Sequence, residues 1–570
     1  MGNPDIDVLA NDFWAWFLEV NPTEAHLLGD YRYAGAWEDE SRAAEDAAIT
    51  ALREFAARAE AIDPAGLEEQ ETLTRAVLLD TCTAMADVRE GRQTEIGCDP
   101  IFGPQVVVPI VLDMLALPTV EVAEAMGDKL RGIAQQYLDL AERAREGVAG
   151  GRFPAAFAAR GVVEQLDEQL AAAPAESVVV KALPAPPDGV DAESWLGRMI
   201  VVVEADLYPA MAHYRDVLRD EVLPHARPDD AVGLSEVPGG AAAYEAYLRY
   251  STTTTKTAQE IHDLGLATVA KLADEYRALG PEVVGTDDLG EIFEAMRTDP
   301  ALHFTAGEQL VTASEEAMAR AWAAMPEWFE VLPQAPCAVR STESGAKAFY
   351  FPPAADGSRG GTFFINVDDP GSWGTFELES MAFHEGIPGH HLQLTIAAEL
   401  DGVPEFRKHL HNNAYAEGWG LYTERLADEM GLYGSAVDRM GMYAADSMRA
   451  CRLVVDTGIH ALGWGREQAV QYMVDNSPLS AAMVRPEIDR YITTPGQATG
   501  YMVGRVEIER IRAEAEARQG SAFDIKKFHS AVLDSGSLPL SVLDEVVKVR
   551  LPRHHLLVQT TRSTQWWPAS

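Results

Sequence analysis

FELESMAFHEGIPGHHLQL, residues Phe376 to Leu394, sets three histidines and a glutamate into an otherwise apolar helical pattern. Leu378, Met381, Ala382 and Leu392 give a helix something to bury, whereas His384, Glu385, His390 and His391 are residues that a core accepts only when they are paired. A metal ion would pair them. The familiar zinc-helix motif, HExxH, puts histidines at i and i+4 on one face. Here Pro388 occupies the i+4 position after His384, and the next histidines stand at i+6 and i+7. On an unbroken helix those lie about 9 and about 10.5 Å farther along the axis at ~1.5 Å per residue. Zinc–nitrogen bonds of about 2.0–2.1 Å cannot span that gap. A metal reading therefore requires a broken helix. Pro388 cannot donate to the carbonyl of His384, and Gly386 and Gly389 flank it with permissive backbones. A two-residue bulge would return His390 to the place of the second histidine and turn His391 toward substrate. The plainer reading is that Gly-Ile-Pro-Gly ends a helix and the histidines cap it.

A second run, NNAYAEGWGLYTERLADEMGLY, starts at Asn412 and reads as another helix through Leu421, Leu426 and Met430, with Glu417 near its start. A carboxylate facing the broken helix would complete a set of two histidines and one glutamate, with a fourth position left for water. Glu385, one residue after the first ligand, is then the general base.

HEGIPGHHLQ (384–393), EGWGLY (417–422) and PGQATGY (495–501) together resemble the bacterial domain-of-unknown-function 885 family, which is similar in fold to carboxypeptidase Taq-type zinc metallopeptidases and related gluzincins. The resemblance runs from DFWAWFLEVNPTEAHLLGD, through YLRYSTTTTKTAQEIHDLGL and GGTFFINVDDP, to about residue 505. It implies a large two-lobed helical fold around a deep central cleft that admits short peptides and excludes folded proteins. It also favours Tyr501, with Gln497 nearby, as the group that donates to a developing oxyanion; Tyr491 frames the same Pro-Gly turn. Gly420, Gly500 and Met502 depart from the commoner family letters, and none is expected to touch a metal ligand.

With 570 residues and 47% hydrophobic letters the chain can bury a large core, and no low-complexity linker or internal repeat divides it. Alanine-rich helical periodicity dominates residues 6–150. Proline and glycine gather at 183–189 and 227–240, on either side of a helix expected from about Ala192 to Val222. That places a soft boundary between an N-terminal helical lobe (1–225) and a catalytic helical lobe (226–570), the two intertwined. Thr257 to Glu260 and Thr305 to Glu308 read as capping boxes. The exception to helix is AKAFYFPPAADGSRGGTFFINV, whose aromatic and β-branched arms predict a hairpin just before the histidine helix. In zinc peptidases of similar fold an edge strand holds extended substrate, and Gly360 and Gly361 would permit that approach.

Asp and Glu number 89 against 46 Lys and Arg, a formal charge of −43 that disfavours nucleic acid and anionic membranes as partners. Four cysteines without CxxC spacing, no apolar run long enough to span a bilayer and no basic leader at the start suggest a reduced, cytoplasmic protein, monomeric or homodimeric. His460, four residues after Asp456, either faces substrate or is a satisfied core histidine. Arg452 and Arg505 have the bidentate chemistry for a terminal carboxylate but are left unassigned. His554 and His555 read as peripheral.

These readings describe a mainly helical zinc (Zn2+) hydrolase, carboxypeptidase-like, acting on short peptides. Its metal ligands are His384, His390 and Glu417, and its catalytic groups are Glu385, Tyr501 and His460. Substrate contacts come from His391, Gln497, Tyr491 and Gly361. The alternatives are a metal-dependent hydrolase of another amide or ester, and a non-catalytic ligand-binding protein.

Overall fold

The break at Gly-Ile-Pro-Gly is where the fold is most constrained. In the computed structural model, which describes residues 4–343, 346–353, 359–410 and 412–553, the elements around it are α1 (Gly307–Trp328), a small sheet of β1 (Cys337–Thr342), β2 (Ala348–Phe351) and β3 (Gly361–Asn366), then α2 (Glu377–Glu385), α3 (His390–Ala398), α4 (Asn413–Glu429), α5 (Ala436–Leu462), α6 (Ala481–Thr493) and α7 (Gly500–Gln519). The rest of the described chain is almost entirely helical.

Helix α2 stops where Pro388 denies the carbonyl of His384 a donor. Neighbouring elements take up what the break frees. Thr423 Oγ1 of α4 donates to Phe383 O (3.2 Å), Trp419 Nε1 donates to Pro388 O (3.0 Å), and Ile387 N points at Met318 Sδ of α1 (3.4 Å). Glycine is required at 389 because a Cβ there would lie 1.9 Å from His384 O and 2.4 Å from Phe383 O. The break is thus built into the packing of α1, α2 and α4.

The hairpin is present: β2 pairs antiparallel with β3, Ala348 facing Ile365 and Phe351 facing Thr362. Sequence did not announce β1, which joins β3 in parallel with Cys337 opposite Gly361. The order β1-β3-β2 makes β3 central and buried, and leaves β2 as an edge. Gly361 therefore sits inside the sheet, where a Cβ would strike Tyr350 Oη and His391 Nδ1; it supplies no open strand to a substrate. The edge that faces the cleft belongs to β2.

The helical span 192–222 is as expected, as Ala192–Val202 and Tyr208–Val217 joined and followed by single π turns. Thr257 caps Ala258–Val283 in a reciprocal box with Glu260. At α1 the start is one residue later than predicted: Ala306 is the cap, and Gln309, not Glu308, reaches back to the backbone. Apolar packing also crosses the expected boundary at 225. One core joins residues 6–86 to 310–432 and 508–551; another joins 98–232 to 451–498. The two cores are interleaved in sequence, and a third adjoins them: α4 and α7 contribute to it and to the first, α5 to it and to the second. His554 and His555 fall outside the described residues.

Replacing Gly389 by alanine should destabilise the protein by roughly 1–3 kcal/mol or more, the cost of forcing backbone shifts in a close-packed interior. Gly197, in an exposed helix with nothing within 4 Å of where a Cβ would stand, is the contrast: Gly197→Ala should gain up to about 1 kcal/mol from helix propensity. Urea unfolding of both variants measures this, and equal effects at the two sites would contradict the packing described.

Candidate metal centre

Helix α2 carries His384 in its last turn, α3 begins on His390, and the first turns of α4 present Glu417 to both. His384 Nε2 and His390 Nε2 each lie 3.4 Å from Glu417 Oε2, and one ligand atom from each residue falls within 4.8 Å of the others. Ligands on a tetrahedral zinc with bonds of about 2.0–2.1 Å are separated by about 3.3 Å. The cluster has the donor chemistry for that ion, and its two histidine–carboxylate distances match the spacing. No second group of this kind occurs among the described residues.

The orientation of His384 is fixed from behind. Its Nδ1 lies 2.8 Å from Glu424 Oε1, and Ser380 Oγ donates to Glu424 Oε2. A carboxylate on the second imidazole nitrogen presents the other nitrogen, Nε2, as the ligand and raises its basicity. Burial opposes a charge on His384, but hydrogen bonds to Glu417 and Glu424 outweigh it and push its pKa up to about 9. Burial would likewise raise Glu417, yet the two imidazoles hold its carboxyl well below the usual range. Gly420 was not expected to touch a ligand, but a Cβ there would lie 2.6 Å from His384 Cε1, so α4 approaches the ring through a residue without a side chain. His390 Nδ1 is buried and has no partner, so the placement of its ring comes from α3.

The three residues open onto a cleft of about 1230 Å³. Glu385 lines it, half-buried, and its carboxylate accepts no hydrogen bond within the described residues. Tyr501 and Gln497 line it as well. Tyr501 is brought beside Glu417 by a contact of α4 with α7 so close that a Cβ on Gly418 would lie 2.5 Å from Gly504 Cα. Burial first, then the charge of Glu417, push the Tyr501 phenol up to about 12, so it remains an O–H donor at neutral pH. Gln497 accepts from Arg490 (2.8 Å) and donates to Asn413 (3.3 Å).

Three other expected site residues are structural. His391 is fully buried, with Nδ1 2.8 Å from Tyr350 Oη and Nε2 3.0 Å from Ala335 O, so it ties α3 to the sheet and does not reach substrate. His460 accepts from Leu234 N through Nδ1 and bonds Tyr491 O through Nε2; burial takes its pKa down to about 4, and it is a neutral core histidine. Its expected partner, Asp456, instead accepts from Tyr244 Oη (2.6 Å) and Gly496 N (3.1 Å). Tyr491 is buried too, accepting from Arg452 Nε (2.7 Å) and donating to Glu487. Arg505 is locked to Asp446. The residues that sequence reasoning missed are Glu424, seven positions after Glu417 and so on the same face of α4, and Arg449, three positions before Arg452 on α5.

Comparison with known proteins places this arrangement in a wider set. A family model described as a bacterial protein of unknown function (DUF885) matches residues 22–547. The crystal structure of a candidate lipoprotein from Colwellia psychrerythraea superposes with a TM-score of 0.87 at 24% identity, covering 96% of this chain and 98% of that one. A candidate lipoprotein of unknown function from Shewanella oneidensis gives 0.77 at 18% identity, with 94% and 98% covered. At these identities the likeness is one of fold. Among curated proteins none matches the chain.

Asp456 holds the turn that leads into Gln497 and Tyr501, and burial pushes its carboxyl up to about 7. An acid whose folded pKa exceeds its unfolded value of about 3.9 stays protonated in the fold after the unfolded chain has released its proton. Its contribution is therefore full below about pH 4 and is lost as pH rises to 7, by at most about 1.4 kcal/mol per pH unit. Relative to Asp456→Asn, the parent should lose stability across that window in pH-dependent urea unfolding. A parallel pair of curves would remove Asp456 as the titrating group.

Proposed function

The chain belongs to the bacterial DUF885 family, and we propose that it is a zinc-dependent hydrolase, a carboxypeptidase-like metallopeptidase acting on short peptides. One observation supports this above the rest: two imidazoles converge on one carboxylate oxygen, each 3.4 Å away, on a large cleft, and directly after the first of them stands a glutamate that accepts no hydrogen bond among the described residues. A site meant only to brace the fold needs no base beside its ligands. The resemblance of the DUF885 family, whose HEGIPGHH, EGWGLY and PGQATGY segments this chain carries, to the fold of Taq-type metallopeptidases points the same way.

His384, His390 and Glu417 would hold the ion, and Glu424 would keep His384 in the liganding tautomer. Bound there, zinc supplies Lewis acidity to water and to a substrate carbonyl. Glu385 then takes the proton from the attacking water and passes it to the leaving amine. The phenol of Tyr501 donates to the oxygen on which negative charge grows, a contact strengthened by its dry surroundings. The free edge of β2, with Lys347 to Tyr350 along the cleft, offers backbone groups to an extended peptide.

Elemental analysis of purified protein tests the ligand set. The parent and His391→Gln should carry close to one zinc per chain, whereas His390→Ala and Glu417→Ala should lose nearly all of it. Glu424→Gln should weaken zinc by about 10- to 100-fold, as for other partners behind a liganding histidine. Glu385→Gln should keep the metal and lower kcat on short peptides by at least about 100-fold. A parent protein with no affinity for zinc, or a fully active Glu385→Gln, would overturn the reading.

A further inference from the structure

The charges lining the cleft differ from those of the protein as a whole. Against a formal charge of −43, its walls carry Arg297, Lys347, Arg449, Arg452 and Arg490 beside Glu377, Glu385, Glu417, Glu424 and Glu487. The cleft is thus balanced in charge, five cations against five carboxylates, where the chain as a whole is strongly acidic. Most of these cations are already engaged. Arg297 donates to the carbonyls of Val474 (2.5 Å) and Ser477 (2.6 Å), Lys347 to Glu377 (2.7 Å) and Ser372 O (3.1 Å), and Arg490 to Gln497 (2.8 Å) and Glu487 (2.9 Å).

Arg449 is different. It is 8% exposed, and its five N–H donors make one long bond of 3.3 Å to Ala445 O in its own helix. Its Nη2 stops 3.9 Å from Glu424 Oε1, beyond hydrogen-bond reach, and its Nε is buried with no partner. Arg452, one turn along α5 and 6% exposed, spends Nε on Tyr491 and Nη2 on Glu487 (3.0 Å) and stacks on the Tyr501 ring, leaving Nη1 unpaired. Guanidinium groups taken out of water normally have their donors satisfied, because an unmade bond to a charged group costs more than a neutral one. Arg452 has Glu487 as its anion, whereas Arg449 beside it on the cleft wall has no carboxylate of the described residues within hydrogen-bond reach.

Position identifies the anion. From Arg449 to the ring of His384 there are two links, 3.9 Å to Glu424 and 2.8 Å onward. In a peptide, the terminal carboxylate carbon lies about 4 Å beyond the last peptide carbonyl carbon, three bonds away. Arg449 and the cluster line the same cleft, so a carbonyl at the cluster places the carboxylate of the final residue in the cavity that Arg449 borders. We propose that Arg449, together with Arg452, seats the free C-terminal carboxylate of the substrate, which makes the enzyme an exopeptidase that releases one C-terminal residue. This rests on the hydrolase reading of the same cleft. A planar fork suits a carboxylate better than a lysine would, since both oxygens can be held at once.

The test is calorimetric binding to zinc-loaded Glu385→Gln, using N-acetyl-Ala-Ala as its free acid and as its C-terminal amide, with hydrolysis of both by the parent protein. The free acid should bind at least 10-fold tighter than the amide. Adding Arg449→Gln should abolish that preference with little effect on the amide; Arg449→Lys should keep part of it, and Arg452→Gln should reduce it. Thermal melts establish that each variant is folded. Equal binding of acid and amide, a preference that survives Arg449→Gln, or no binding of either peptide overturns the proposal. Equal hydrolysis of acid and amide would leave the hydrolase standing and remove the carboxylate seat. Preferential binding of the acid with no hydrolysis by zinc-loaded parent protein would do the reverse.

Discussion

Everything at the centre of this protein depends on a hydrogen bond that cannot form. Pro388 has no N–H to offer the carbonyl of His384, so α2 ends and α3 must begin again. In a continuous helix the two histidines would stand well over one turn apart. With the chain interrupted they lie with ring centroids 4.7 Å apart, and one carboxylate reaches both. The neighbouring helices answer that interruption residue by residue. Met318 lies under it, Thr423 and Trp419 take its loose carbonyls, and Gly389 and Gly420 let backbone pass where side chains would collide. The same helix, α4, supplies Glu417, Glu424, Trp419 and Thr423, so the part that repairs the break also builds the site.

This explains how much of the site was legible in the sequence. The need for a break and its position follow from covalent facts: where proline stands, how far a helix rises per residue, how long a metal bond can be. Glu417 was singled out because a carboxylate facing the broken helix would complete a set of two histidines and one glutamate, and the fold brings it to both imidazoles. Glu424 and Arg449 were not, since their meaning depends on which faces of α4 and α5 meet α2 and the cleft, and helical periodicity alone does not fix how helices pair. His391 was misread for a related reason. Adjacent helical residues point about 100° apart, and the side opposite the cleft is occupied by a sheet that included an unannounced parallel strand, β1. His460 looked paired with Asp456 at i+4, but each found a better partner on another segment.

The larger architecture was legible in kind and less so in division. Helical periodicity gave the class of fold, and the aromatic, β-branched run gave the hairpin. Gathered prolines and glycines suggested a boundary near 225, whereas buried apolar contacts link both ends of the chain across it. Contacts of high sequence separation are what local patterns cannot report. They also matter for function. The cleft walls are drawn from widely separated segments, with Phe102, Met296 and Arg297 facing α2 to α7, so the site exists only once the whole chain has folded.

The most direct measurement of the central claim is an anomalous difference map, recorded on either side of the zinc absorption edge, from crystals grown with zinc. The account predicts one strong peak per chain about 2 Å from His384 Nε2, His390 Nε2 and a Glu417 carboxylate oxygen, lost in crystals of His390→Ala. A map with no peak between α2, α3 and α4, in crystals where those three side chains are well ordered, would contradict it, and the broken helix would be a feature of packing alone.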